Sequence, residues 1–157
     1  MKVIGLSAND VASHLEWIND INEISQTQLS FPIIGDKSRS IATAYDMLDA
    51  LDPTNRDAHG IPFTVRDVFV IDPSKVIRLK ISYPASTGRH FAEILRAVDS
   101  LQLGDKHRIT TPANWKKGDR VIIHPSVPDE DAKTLFPGFE TVKPYLRLAE
   151  DPSIGGL

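Results

Sequence analysis

Thr64-Val65-Arg66-Asp67-Val68-Phe69-Val70-Ile71-Asp72-Pro73-Ser74-Lys75-Val76-Ile77-Arg78-Leu79-Lys80-Ile81-Ser82-Tyr83 is the most strongly patterned stretch of the chain. Its leading part, 64–71, is rich in β-branched and aromatic residues and ends in a continuous apolar run, the composition of an interior strand covered on both faces. Asp72-Pro73-Ser74-Lys75 then puts a proline where a type I turn takes one. Beyond it Ile77, Leu79, Ile81 and Tyr83 alternate with Val76, Arg78, Lys80 and Ser82, a period of two. The stretch reads as a β-hairpin.

Upstream, Lys2-Val3-Ile4-Gly5-Leu6-Ser7 reads as a short buried strand, and 7–10 supplies capping residues for a helix with Val11, Leu15, Ile18 and Ile21 on one face. Phe31-Pro32-Ile33-Ile34-Gly35-Asp36 is a brief extended piece, after which Asp36 or Ser38 can cap a helix carrying Ile41, Tyr45 and Leu48. A polar loop, 52–60, leads to the hairpin. Downstream, Ser86 and Thr87 can cap a helix whose Phe91, Ile94, Leu95, Val98 and Leu101 form an apolar stripe. Beyond Leu103 the texture changes: Pro112, Pro125, Pro128, Pro137 and Pro144 interrupt short elements, among them a strand at 120–124 and a helix at 129–136. The expected division is a core at 1–104 and a smaller unit at 105–157. The order strand, helix, strand, strand, helix predicts an α/β sandwich in which 2–7 joins one sheet with the hairpin.

The composition excludes several classes of function. A net charge of -3 with interspersed signs gives no basic footprint for nucleic acid or an anionic membrane. The longest purely apolar run, Val68-Phe69-Val70-Ile71, is far short of a bilayer span, so no membrane partner is expected. The 157 residues contain no cysteine, which excludes disulfides, thiolate metal sites and thiol catalysis by these residues themselves. His14, His59, His90, His107 and His124 show no metal-ligand spacing, and neither metal nor cofactor is expected.

Several segments, taken in order, resemble the one-Cys peroxiredoxins, the peroxiredoxin-6-like class of the AhpC/TSA family. They are Val3-Ile4-Gly5-Leu6-Ser7 with His14-Leu15-Glu16-Trp17, Phe31-Pro32-Ile33-Ile34, and 62–70. The resemblance continues through Tyr83-Pro84-Ala85-Ser86-Thr87-Gly88-Arg89, through 111–119, and through Leu135-Phe136-Pro137 and Tyr145-Leu146-Arg147. It implies a partial thioredoxin-like fold, lacking the central strand and the cysteine helix, followed by a small C-terminal peroxiredoxin extension. In that fold the strand before the cysteine helix separates 2–7 from 66–71. Without it, those two strands either pair directly or leave unpaired backbone groups and exposed apolar faces.

The resemblance implies reduction of hydrogen peroxide and organic hydroperoxides by a thiolate, then recovery by an external thiol reductant. It places Arg66 beside that thiolate and Arg89 as a second cationic contributor. From the residues alone, Arg66 shares a side with Val68 and Val70, so its guanidinium needs an anionic partner, which a surface carboxylate could equally supply. Arg89 is expected in the first helical turn, where a cation opposes the helix dipole unless it has a purpose or is simply solvated. A phospholipase activity described for some family members does not carry over. The acidic position matches Ser74, Asp72 opens a turn, and no G-x-S-x-G elbow exists.

The chain alone is expected to be inactive for lack of cysteine. It is read either as part of a thiol peroxidase or as a noncatalytic module pairing with a full-length peroxiredoxin. The family's strand equivalent to 76–82 pairs with its copy, which implies a homodimer, unless Arg78 and Lys80 protect a solvated edge. The cytosol is the default compartment, and mitochondria are the other that the family occupies.

Overall fold

The computed structural model describes residues 1–154. Two compact units, Met1–Arg89 and His90–Leu157, divide the chain, so the helix at 91–107 belongs to the second unit.

In the first unit, strand β1 (Gly5–Ser7), helix α1 (Val11–Ser25) and strand β2 (Ile33–Gly35) form a β-α-β crossover, with Gly5, Leu6 and Ser7 registered in parallel against Ile33, Ile34 and Gly35. Asp10 caps α1 by accepting from the Ser13 amide at 3.0 Å. A Cβ at Gly35 would lie 3.2 Å from the Asn9 carbonyl and the Val11 amide, so glycine is what lets β2 approach the start of α1. Helix α2 (Ser40–Ala44) has no side-chain cap at Arg39. The buried carboxylate of Asp36 takes that place, accepting from Ala42 at 2.7 Å and Ile41 at 3.2 Å.

The hairpin forms as its pattern predicts. Strand β3 (Arg66–Ile71) runs antiparallel to β4 (Ile77–Tyr83), with Arg66 opposite Tyr83 and a bulge between Val70 and Ile71. Lys75 takes a left-handed φ of 68°, and the Asp72 side chain accepts from the Val76 amide at 3.0 Å. Two expectations fail. The first strand does not join the hairpin: β1 pairs with β2 and β3 with β4, in separate two-stranded sheets. Nor is β3 an interior strand, since only Asp67 along it is buried and Val68, Phe69 and Val70 are half-covered. With one ladder partner and thin cover, its apolar run lacks the second layer that the composition suits.

The stripe of α1 is only partly covered: Ile18 and Ile21 are half-buried, but Val11 is 61% and Leu15 62% exposed, and Trp17 and Ile24 are also at the surface. Ala42 and Met47 are the buried apolar residues of this unit among those described.

The second unit is built differently. Helix α3 (Phe91–His107) packs on β5 (Ile109–Thr110), the edge of an antiparallel sheet ordered β5, β6 (Val121–Ile123), β8 (Leu146–Ala149), β7 (Glu140–Lys143). Helix α4 (Asp129–Leu135) carries three acids in its first turn, which suits the helix dipole. Leu103, Ile109, Trp115, Val121, Ile123, Val127, Ala132, Phe136 and Ala149 form one buried cluster. Trp115 is 2% exposed and its indole N–H donates to the Asp119 carbonyl at 3.0 Å. Arg147, also buried, donates to Asp129 Oδ1 at 2.7 Å and to the carbonyls of Val127 at 2.8 Å and His124 at 3.2 Å. The short strand and helix expected in this Pro-rich region are β6 and α4.

This contrast gives a stability test. Ile123→Ala should cost about 2–5 kcal/mol by denaturant unfolding, whereas Leu15→Ala should stay within about 0.5 kcal/mol. A large loss at Leu15 would show that α1 is packed in solution.

Candidate functional site

Arg66 begins β3 and shares a side with Val68 and Val70, but its guanidinium is exposed. Among the described residues no carboxylate pairs with it. Instead Nε donates to the Ala85 carbonyl at 2.7 Å. Ala85 belongs to a turn closed by the Thr87 amide on the Pro84 carbonyl at 2.9 Å, so the segment leaving β4 folds back over the start of β3.

The same segment delivers Arg89, which differs from expectation in position. It precedes α3 rather than occupying its first turn, because Ser86 and Thr87 are spent in the turn and His90 is the cap, its Nδ1 accepting from the Glu93 amide at 3.1 Å. Arg89 therefore sits one residue before the cap, still beside the positive end of the α3 dipole. Arg89 is exposed overall, yet partial desolvation of its guanidinium, and then the charge of Arg66, lower it from its ordinary pKa, with Asp67 opposing. The two arginines thus act on each other as like charges, which a nearby anion would offset.

Sequence reasoning passed over Asp67. Its side chain is 0% exposed, on the face of the hairpin opposite Arg66. Lys80 Nζ lies 3.2 Å from Asp67 Oδ2, within ion-pair distance, although neither carboxylate oxygen accepts an aligned hydrogen bond. Lys80 also donates to the Asp46 carbonyl at 3.2 Å and lies 5.3 Å from the centre of the Phe69 ring, whose edge meets Tyr45. Lys80 is therefore not the free edge charge that the alternation suggested. Arg78, the other expected guard, lies 3.6 Å from Asp72. The available signal was Asp67 and Lys80 as a diagonal cross-strand pair of opposite charge.

The histidines are dispersed. His90 caps α3, His124 accepts from the Ser126 amide, His59 is exposed and His107 ends α3, while His14 is buried on α1. No group of three metal-capable side chains occurs among the described residues.

Lys80→Met would leave Asp67 as a buried charge without a counter-ion and should cost about 1–3 kcal/mol. Adding Asp67→Asn should recover part of that loss. Strict additivity in the double-mutant cycle, within about 0.3 kcal/mol, would show that the pair is not coupled.

The family model of AhpC/TSA matches residues 1–80, and that of the C-terminal domain of 1-Cys peroxiredoxin matches residues 100–138. The chain is 50% identical to a mitochondrial peroxiredoxin of Saccharomyces cerevisiae, over 96% of this chain and 58% of that protein. It is 46% identical to peroxiredoxin-6 of Gallus gallus, over 97% of this chain and 71% of that protein. A solved peroxiredoxin 6 mutant of Arenicola marina superposes with a TM-score of 0.89 at 44% identity, covering 96% of this chain and 70% of that one. A yeast mitochondrial 1-Cys peroxiredoxin, whose structure addresses thiol resolution via glutathione/thioredoxin systems, gives 0.82 at 46%, over 95% and 70%. The chain therefore spans only 58% of the Saccharomyces protein's length. The fold is the thioredoxin-like one of these structures, followed by their C-terminal domain, and the chain belongs to the AhpC/TSA peroxiredoxins, in the one-Cys class.

Proposed function

We propose that Arg66 and Arg89 are the cationic half of a thiol peroxidase centre whose cysteine lies outside these 157 residues. The supporting observations are that the Ala85 carbonyl holds Arg66 Nε at 2.7 Å with no carboxylate paired to that arginine among the described residues, and that the Arg66 charge acts on Arg89. Such a pair favours a thiolate over a thiol and can hydrogen-bond a peroxide. The thiolate sulfur attacks one peroxide oxygen, the O–O bond breaks, and the leaving oxygen takes up a proton as water or alcohol. The sulfenic acid that remains is reduced by an external thiol. The thiol-resolving systems named for the yeast relative make glutathione or thioredoxin the reductants to test first.

The thiol has two sources, a longer polypeptide containing this sequence or a full-length peroxiredoxin that the chain pairs with. Strand β4 supports association, since it pairs with β3 and has no strand on its other edge among the described residues. No helix among the described residues is long and apolar enough to cross a membrane. The cytoplasm and, by similarity to the mitochondrial yeast relative, mitochondria are the compartments we propose.

Intact mass of the endogenous protein separates the two sources. A mass well above 17.4 kDa with an alkylatable thiol assigns the cysteine to the same polypeptide. A mass of 17.4 kDa favours the module, and mixing must then change the mass and turnover of a full-length peroxiredoxin. In whichever assembly carries the thiol, Arg66→Gln should raise the thiol pKa by about 1 or more and slow peroxide reduction about 10- to 100-fold. Arg66→Lys should recover only part of the rate, because the charge returns without the planar fork. Unchanged pKa and rate in Arg66→Gln and Arg89→Gln would refute the assignment.

A further inference from the structure

From Lys2 to Lys37 the chain has no Lys or Arg between, yet Asp10, Glu16, Asp20, Glu23 and Asp36 fall in that span. Asp10 is engaged with Lys37 and the start of α1, and Asp36 with the start of α2. Glu16 and Asp20 have no cation paired with them among the described residues. They are one helical turn apart on α1, with Trp17 between them, so all three border the same surface.

That surface is the wall of a cavity of about 500 Å³, a volume suited to a small organic ligand. Ser7, Ser13 and His14 also line it. His14 is the unexplained member. It is 3% exposed, and neither ring nitrogen has a hydrogen-bond partner among the described residues. Its ring lies 6.4 Å from that of Trp17, tilted by 44°. A buried imidazole with both nitrogens unsatisfied is costly, and because both atoms are closed to water a partner entering the cavity must displace their cover to reach them.

The chemistry of the wall selects one kind of partner. Two carboxylates supply negative charge, an indole face attracts cations, and hydroxyl and imidazole groups accept hydrogen bonds, while no fixed positive charge lines the cavity. Three metal-capable groups do not converge here among the described residues, which favours a larger, N–H-rich cation over a metal ion.

We propose that this cavity binds an organic cation, an alkylguanidinium or alkylammonium group, with Glu16 and Asp20 as counter-charges, Trp17 as the cation–π platform and His14 as the inner acceptor. The group can come from a free amine or from an Arg or Lys side chain, since the recognising chemistry is the same. This assignment uses none of the residues of the arginine pair and stands or falls separately from it.

The test is calorimetric and tryptophan-fluorescence titration of the 157-residue chain with n-butylguanidinium and n-butylammonium, with n-butanol as the neutral control. Saturable binding of the cations, accompanied by a change in Trp17 emission and absent with n-butanol, is the expected result. The exposed double substitution Glu16→Gln/Asp20→Asn should weaken binding about tenfold, or about 1.4 kcal/mol. Tighter binding of the cation when presented on a short blocked Gly-Arg-Gly peptide would point to a protein side chain, and weaker binding to a free amine. The proposal is overturned if n-butanol binds as well as the cations, if the double substitution changes affinity less than twofold, or if no saturable binding occurs.

Discussion

The pairing of Arg66 with Tyr83 sets where the charged side chains of the hairpin lie. In a strand, neighbouring side chains face opposite ways, so a slip of one residue would exchange the environments of Arg66 and Asp67. In the observed register the guanidinium reaches the Ala85 carbonyl in water, while the carboxylate is shielded beside Lys80. The register is fixed from the other end of the hairpin, where the Asp72 carboxylate holds the Val76 amide and Lys75 accepts a left-handed backbone. A lysine carries that conformation at some cost, which the turn bond and the following ladder offset. The position of a candidate catalytic arginine thus depends on an aspartate at the far end of the hairpin.

The hairpin was legible because alternation and turn chemistry are local. The helix from Val11 was equally legible, with Asp10 as its cap. Coverage was not legible. The run Val68-Phe69-Val70-Ile71 has interior composition, but which layer lies over a strand is a tertiary property, and among the described residues β3 has only β4 beside it. The partner of the first strand was misjudged for the same reason: periodicity identifies 5–7 as a strand without saying that 33–35 will pair with it. Capping misled in a different way. Ser86 and Thr87 are good cap residues, yet the turn after Tyr83 consumed them and left the role to His90, a residue type seldom read as a cap.

At the candidate site, Arg66 and Arg89 were singled out by a family resemblance, whereas their surroundings were not legible. Lys80 looked like a solvated guard because its neighbours in sequence alternate. Its actual partner, Asp67, lies across the ladder and diagonally displaced, which a one-strand pattern cannot reveal. In the second unit the converse holds: prolines marked its breaks well, but nothing in the pattern announced that Arg147 would be buried with two backbone carbonyls and Asp129 as its partners.

The uneven distribution of buried apolar residues makes the two units different kinds of thermodynamic object. A unit closed around Trp115, Val121 and Ile123 has a free energy of folding that belongs to its own sequence. One that leaves Val11, Leu15 and Trp17 in water has a stability that depends on its surroundings, because anything that binds only the folded form adds a term growing with the logarithm of its concentration. Wherever such a binder is present, the folded fraction of the first unit follows a titration curve rather than a constant, and the dilution at which it is studied becomes a variable of state.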